Sequence, residues 1–246
     1  MTTLKNKVAI VTGSSKGIGA QIAILLAESG AKTVINYAND DAAANDIVNQ
    51  IKSAGGEAIA VQADVSDTQQ VATLFDTTIS EFGKPDILVN SAGMMINKPI
   101  AETTDEDFDR TFAVNVKGTF NTLREAATKL NDGGRIVNLS STTTRMMLPT
   151  YGTYCATKGA VEQLTRVFSK EVGERNITVN AVSPGPTDTE LFNQGKTDEA
   201  VEKLASMSAF NRIGEPIDIA RVVSFLVSEE AAWVTGQNIG ANGGVA

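Results

Sequence analysis

Short apolar runs rich in β-branched residues alternate along this chain with longer stretches whose apolar positions recur every three or four residues. The runs at 8–11, 33–37, 58–61, 87–90, 135–139, 177–182 and 237–239 read as strands. Most are continuously apolar rather than alternating, as strands covered on both faces must be. The clearest helical pattern places Val71, Leu74, Phe75, Thr78, Ile79 and Phe82 on one face, with polar and acidic residues elsewhere. Gly55-Gly56, Gly83-Lys84-Pro85 and Asp132-Gly133-Gly134 stand where helices should stop and strands begin. Seven strands alternating with helices predict an α/β fold, a doubly wound parallel seven-stranded sheet with right-handed crossovers. No linker, charge block or internal repeat interrupts the pattern, so residues 1–246 read as a single domain. The long stretch without a strand, 187–211, carries Leu191, Phe192, Leu204, Met207 and Phe210 among polar residues and is expected to serve as a lid over a substrate. The helix pattern at 217–227 is apolar on nearly every side, which predicts burial all round, in part by another subunit.

Composition narrows the chemistry. Histidine is absent, which excludes Ser-His-Asp and Cys-His hydrolases, His-ligated metal and haem sites and imidazole acid–base schemes. Cys155 is the single cysteine, so no disulfide framework or cysteine metal cluster is expected, and a reducing compartment suits the chain. No metal site is predicted. Acidic residues outnumber basic ones for a formal charge of −8, which argues against nucleic acid or an anionic membrane as a partner. The polar start lacks a signal-peptide core, and no apolar stretch approaches the ~18 residues of a membrane span; a cytoplasmic location is the expectation.

After the first strand comes Thr12-Gly13-Ser14-Ser15-Lys16-Gly17-Ile18-Gly19, leading into a helical pattern. Glycines in a strand-to-helix turn let the backbone approach a ligand, and the helix start offers free N–H groups to a pyrophosphate. The turn lacks the Gly-Lys-Ser/Thr of a P-loop. Further on stand Asn90-Ser91-Ala92-Gly93, Asn115 in Asn-Val-Lys-Gly, and Ser141 with Tyr154 and Lys158 as Tyr-x-x-x-Lys thirteen residues later. Pro184-Gly185 with Thr189, then Arg212-Ile213-Gly214-Glu215-Pro216 and Thr235-Gly236-Gln237, follow in order. With these motifs at these spacings over nearly its whole length, the chain resembles the classical short-chain dehydrogenase/reductase family, which implies a Rossmann fold and a nicotinamide cofactor. Two positions depart from the family pattern: Ser91 stands for a second asparagine, and Asn242 for an aspartate before the final Gly-Gly, where it bears on packing near the C-terminus.

Tyr154 and Lys158 lie four apart on a predicted helix and so share a face. A nearby ammonium favours the phenolate, so Lys158 is expected to pull the Tyr154 hydroxyl down from its usual value towards neutrality. Tyr154 would then exchange a proton with a carbonyl or alcohol oxygen as hydride arrives or leaves. The resemblance implies that Ser141 holds that oxygen, rather than the adjacent Ser140, and that Asn115 holds a water in a proton relay ending at Lys158. It also implies cofactor contacts from Gly13, Ser15, Lys16, Gly17, Ile18 and Gly19, from Tyr37, Asp64 and Val65, and from Asn90, Ala92 and Gly93. Tyr154, Lys158, Pro184, Gly185, Thr187 and Thr189 complete the expected set. Asp64 could equally cap the helix that follows it.

An NAD-selective site normally carries a carboxylate at the end of the second strand for the ribose 2′-hydroxyl. Here that end reads Asn36-Tyr37-Ala38-Asn39, while Asp40 and Asp41 look like helix-start residues. Lys16 can meet a 2′-phosphate, so NADP(H) is the predicted cofactor. Met94, Met95, Thr142, Met146, Met147, Tyr151, Leu191, Phe192, Met207 and Phe210 are candidate walls for a hydrophobic ketone or aldehyde. The expectation is therefore an NADPH-dependent carbonyl reductase, with a homotetramer implied by the resemblance. The alternatives are a 3-oxoacyl-carrier-protein reductase, for which no basic docking patch is evident, and a non-catalytic dinucleotide sensor, against which the set Asn115, Ser141, Tyr154 and Lys158 speaks.

Overall fold

Each of the seven predicted runs is a strand in the computed structural model, which describes residues 3–246. The first half runs β1 (Val8–Thr12), α1 (Gly17–Glu28), β2 (Lys32–Tyr37), α2 (Asp41–Ser53), β3 (Glu57–Gln62), α3 (Thr68–Phe82) and β4 (Ile87–Asn90). Then follow α4 (Asp105–Phe112), α5 (Gly118–Lys129), β5 (Arg135–Leu139), the single turn α6 (Thr143–Met146) and α7 (Gly152–Glu171). The chain ends with β6 (Thr178–Pro184), α8 (Glu190–Asn193), α9 (Asp198–Ser206), α10 (Pro216–Leu226) and β7 (Asn238–Ala241). The strand boundaries differ from the sequence pattern by at most two residues, because ladder hydrogen bonds extend past the last apolar side chain.

All strands pair in parallel in the order β3-β2-β1-β4-β5-β6-β7. One core layer packs Ile22, Leu26, Val48, Ile51, Ile219, Val223 and Leu226 from α1, α2 and α10 against one face of the sheet. The other packs Val71, Leu74 and Phe75 of α3, Leu123 and Ala126 of α5 and Phe168 of α7 against the opposite face. Burial on both faces is why the strands read as unbroken apolar runs. The strand order reverses between β1 and β4, and a crevice opens there beyond the carboxyl ends of the strands, the usual ligand position in such sheets.

Two features refine the sequence pattern. Within the single chain, helix α10 is covered on one face: Ile219, Ala220, Val223 and Leu226 face the core, and Phe225 is 48% exposed on the outer side. Between α4 and α5 the helix widens into a π-turn, Ala113–Lys117, with Asn115 buried inside it. Such bulges redirect one side chain without ending the helix. The stretch 187–211 holds α8 and α9 and joins the body through a bridge from Thr187 to Gly214.

Candidate active site

The glycine-rich turn is built from β1 and β2 together. Gly13 adopts φ 59, and a Cβ there would lie 2.7 Å from the Ala92 Cα, so only glycine fits between the turn and the end of β4. A Cβ on Gly19 would collide with the Gly13 carbonyl oxygen. Asn36, a buried polar residue in β2, holds the turn from below. Its side chain accepts from the Gly13 N–H at 3.2 Å and donates to the Ala63 carbonyl at 3.0 Å, while its backbone N–H donates to the Ser14 hydroxyl and its carbonyl accepts from the Ser14 N–H. The sequence pattern missed this role, although an asparagine inside a continuous apolar strand was a visible signal. Helix α1 starts here without a side-chain cap and without an acidic residue in its first turn. Gly17, Ile18 and Gly19 line the cleft, so the unpaired N–H groups of that turn suit an anionic pyrophosphate.

Lys16 also lines the cleft, but two carboxylates hold its ammonium: Asp40 at 3.3 Å and Glu190 of α8 at 3.2 Å. Both raise its pKa, Glu190 more than Asp40, and Lys16 in turn helps to lower that of Asp40, whose main partner is the Ala43 N–H it caps. Ala92, Gly93, Pro184, Gly185, Thr187 and Thr189 line the same cleft. Thr189 caps α8 by accepting from the Phe192 N–H at 3.1 Å.

Other expected cofactor residues stand differently. Ser15 is half-buried and outside the cleft lining. Tyr37 lies outside it too, its hydroxyl donating to the Asp41 carboxylate. Asp64 accepts from the N–H and hydroxyl of Ser66 at 2.9 and 2.8 Å, making a tight turn. The cap of α3 is Asp67 rather than Asp64, because the helix begins at Thr68. Val65 is buried against Gly118, where a Cβ would come within 2.6 Å of it. Asn90 has its side chain taken up structurally, donating to Asn138 at 2.8 Å and accepting from Thr122 at 2.7 Å.

Tyr154, Lys158 and Ser141 converge on the cleft from α7 and the end of β5. Lys158 is buried and donates to the Leu139 carbonyl at 2.7 Å, with its ammonium 5.7 Å from the centre of the Tyr154 ring. Burial pushes Lys158 down to about 8. Burial likewise pushes Tyr154 up to about 12, opposed by a hydrogen bond with Ser141. The direction runs against the expectation that Lys158 would draw the phenol towards neutrality: enclosure raises it, and the ammonium lies over the ring. Ser140 and Ser141 diverge, as neighbours at a strand end should. Ser140 donates to Glu162 at 2.9 Å, while Ser141 Oγ accepts from the Thr143 N–H and hydroxyl at 3.3 and 2.9 Å.

Asn115 reaches from its π-turn to clamp the loop after β4, accepting from the Met94 N–H at 2.8 Å and donating to the Met94 carbonyl at 2.9 Å and to Thr157 at 3.0 Å. It also approaches the lysine, since a Cβ on Gly93 would lie 3.4 Å from Asn115 Oδ1 and 3.6 Å from Lys158 Nζ. Cys155 donates its thiol to the Thr143 carbonyl at 3.2 Å, a packing role beside the Ser141 loop.

The cleft measures about 420 Å³. Of the expected walls, Met95, Thr142, Met146, Tyr151, Leu191 and Phe192 line it, joined by Leu148, Gln194 and Leu204. Met94, Met147, Met207 and Phe210 do not, and Phe210 lines a neighbouring cavity instead. Met147 points into solvent because it ends α6 in a left-handed conformation, φ 51. Asn242 donates to Thr142 at 3.2 Å and to the Ala246 carbonyl, tying the C-terminus to the Ser141 loop. Among the described residues no cluster of His, Cys, Asp and Glu is placed to hold a metal, and no helix is long and apolar enough to cross a membrane.

A family model described as enoyl-(acyl carrier protein) reductase matches residues 13–246. The chain is 48% identical over 255 residues to an NADPH-dependent aldehyde reductase-like protein, chloroplastic, of Arabidopsis thaliana, covering 98% of this chain and 94% of the relative. It is 43% identical over 253 residues to versicolorin reductase stcU of Emericella nidulans, covering 98% and 96%. The solved structure of the angucycline C-6 ketoreductase LanV with bound NADP superposes with a TM-score of 0.94 at 42% identity, over 99% of this chain and 97% of that one.

Proposed function

Because the chain belongs to the short-chain dehydrogenase/reductase family, we propose that it reduces a hydrophobic ketone or aldehyde with NADPH, Tyr154 giving the proton. It is an NADP-dependent oxidoreductase by that membership, its relatives including an NADPH-dependent aldehyde reductase-like protein and a ketoreductase with bound NADP. The observation that carries the finer reading is the convergence of Tyr154, Ser141 and Lys158 at one wall of a cleft whose floor is the glycine-rich turn. NADPH, when bound, supplies a hydride. Gly17, Ile18 and the start of α1 would take its pyrophosphate, and Lys16 its 2′-phosphate. Tyr154 holds its proton at neutral pH and delivers it to the carbonyl oxygen, which Ser141 orients by a second hydrogen bond. A donor of this kind is commonly worth about 3 kcal/mol of barrier. Lys158 keeps the site positive where negative charge develops, and Asn115 fixes the loop that carries Gly93, beside the water position the family pattern assigns to it.

The walls supplied by Met95, Met146, Leu148, Tyr151, Leu191 and Phe192 favour a flat or aryl carbonyl over a sugar. The segment 187–211 closes over that substrate, with Glu190 meeting Lys16 across the cleft. Exposed apolar side chains such as Phe108, Phe120, Val167, Phe225 and Trp233 suit burial by other copies of the chain, and a homotetramer belongs to this reading. A cytoplasmic location belongs to the same proposal, the unpaired Cys155 suiting a reducing compartment.

The test is loss of NADPH absorbance with 9,10-phenanthrenequinone, 1-tetralone, benzaldehyde and an acetoacetyl thioester. The aryl carbonyls should be reduced, and Tyr154→Phe should slow turnover about 100-fold or more while leaving NADPH binding largely intact. Full activity in that variant would refute the mechanism, and preference for the thioester would move the substrate to the acyl-carrier class.

A further inference from the structure

Ser141 can serve a reacting oxygen only if its short loop is held still, and β5 ends at Leu139, two residues earlier. Helix α7 holds that loop. Tyr154, Lys158 and Glu162 follow one another at intervals of four along it and so occupy one face. Lys158 takes the Leu139 carbonyl at 2.7 Å. One turn further on, Glu162 Oε1 accepts from the Ser140 hydroxyl and from the Thr144 hydroxyl, both at 2.9 Å. The Ser140 hydroxyl is also 3.4 Å from the Lys158 carbonyl, and the Thr144 hydroxyl 3.0 Å from the Ser141 carbonyl. The ionised carboxylate is the stronger acceptor of the two in each case.

One oxygen atom therefore grips the loop on both sides of Ser141. Within the gripped loop, Ser141 Oγ receives two donors, the Thr143 N–H and the Thr143 hydroxyl. A hydroxyl has two acceptor sites and one proton. With both acceptor sites filled from the loop side, the Ser141 proton is directed away from the loop, towards Tyr154 and the cleft. Glu162 itself is half-buried and makes no ion pair among the described residues.

We propose that Glu162 is a positioning residue, fixing the Ser141 hydroxyl through Ser140 and Thr144. This rests on the reductase reading above and deepens it by naming what holds the oxygen donor in register. Misplacing a catalytic group by about 1 Å can cost about 100-fold.

The experiment measures kcat, KM and NADPH affinity with 9,10-phenanthrenequinone, or with whichever panel carbonyl the wild type reduces fastest. Glu162→Ala should lower kcat by about 10- to 100-fold, within the range expected for a displaced hydrogen-bond donor, with NADPH affinity unchanged. Glu162→Gln, which keeps an acceptor oxygen, should restore most of kcat and leave the pH profile in place. The double variant Ser140→Ala/Thr144→Val should match the Glu162→Ala loss, and adding Glu162→Ala to it should cost nothing more. The double variant also carries the test if Glu162→Ala does not fold. Wild-type kcat in Glu162→Ala, a Glu162→Gln loss as deep as that of Glu162→Ala, a shifted pH profile in Glu162→Gln, or losses that multiply would each overturn the proposal. Wild-type turnover and the Tyr154→Phe loss report on the reductase reading by themselves, so the two can fail separately.

Discussion

Replacing Lys158 by methionine turns the buried ammonium into a measurable quantity. The group is 5% exposed and its pKa falls from 10.5 to about 8 on folding, with burial as the cause. At about 1.4 kcal/mol per pH unit, that drop means the charged lysine costs the fold about 3 kcal/mol. The cost is fully present at pH 7, below both values, where folded and unfolded chains both hold the proton. Between about 8 and 10.5 the folded protein has released a proton that the unfolded chain still binds, so stability rises with pH. Above 10.5 both forms are neutral and the cost is gone. Wild type should therefore gain about 2 kcal/mol on Lys158→Met between pH 7 and pH 10. The variant also leaves the Leu139 carbonyl unpaired, a loss of about 1–3 kcal/mol at either pH. It should thus be close to wild type or slightly more stable at pH 7, and less stable at pH 10. Urea unfolding of both apoproteins at one protein concentration and at the two pH values checks this. A stability difference that stays constant between pH 7 and pH 10 would refute a lysine held at depressed pKa. The same titration should be visible in turnover: wild-type reduction falls as pH rises through about 8, where the ammonium is lost.

Cofactor choice and assembly offer two further tests. Asp40 and Glu190 compete with a 2′-phosphate for the Lys16 ammonium, so Asp40→Asn and Glu190→Gln should each tighten NADPH several-fold with little effect on NADH. Isothermal titration with both cofactors checks it, and equal shifts for the two would separate Lys16 from the 2′-phosphate. Light scattering should give four times the 25.9 kDa chain mass, and Trp233→Glu, at a position 99% exposed, should reduce it to a dimer. A monomeric wild type would remove the tetramer from the proposal.

The fold was legible because its signal is local. Continuous apolar runs such as 87–90 and 135–139 can satisfy their backbones only as covered strands, and the turn glycines mark where β1 must give way to α1. The placement of Tyr154 and Lys158 together was legible because four residues on a helix fix their relation whatever surrounds them. What stayed hidden depends on elements meeting across long sequence separations. Asn36 supports a turn 23 residues earlier, Glu162 reaches 22 residues back to Ser140, and Lys16 meets Glu190 across 174 residues. The bonds made by Asp64 and Asn90 stayed hidden for the opposite reason. Each stands at a strand end, where a nucleotide contact is plausible, and each spends its side chain on a neighbour that the pattern of types could not reveal.

The displaced phenol and ammonium have a joint consequence. Enclosure raises Tyr154 to about 12 and lowers Lys158 to about 8, so both groups are pressed towards their neutral forms. For the tyrosine the neutral form is the proton donor, the state that reduction of a carbonyl requires. Oxidation of an alcohol requires the phenolate, which the enclosed ring resists and which only added positive charge in the cleft would favour. On the proposed mechanism Tyr154 thus waits as an acid at neutral pH, and the lysine loses its charge only at higher pH. This governs the protonation state in which the site waits rather than the equilibrium between carbonyl and alcohol, which no residue can move. It also explains why Ser141 has to be held so firmly from outside the cleft. A neutral phenol and a neutral hydroxyl attract a carbonyl oxygen by geometry rather than by charge, and geometry fails once the loop at the end of β5 is free to drift.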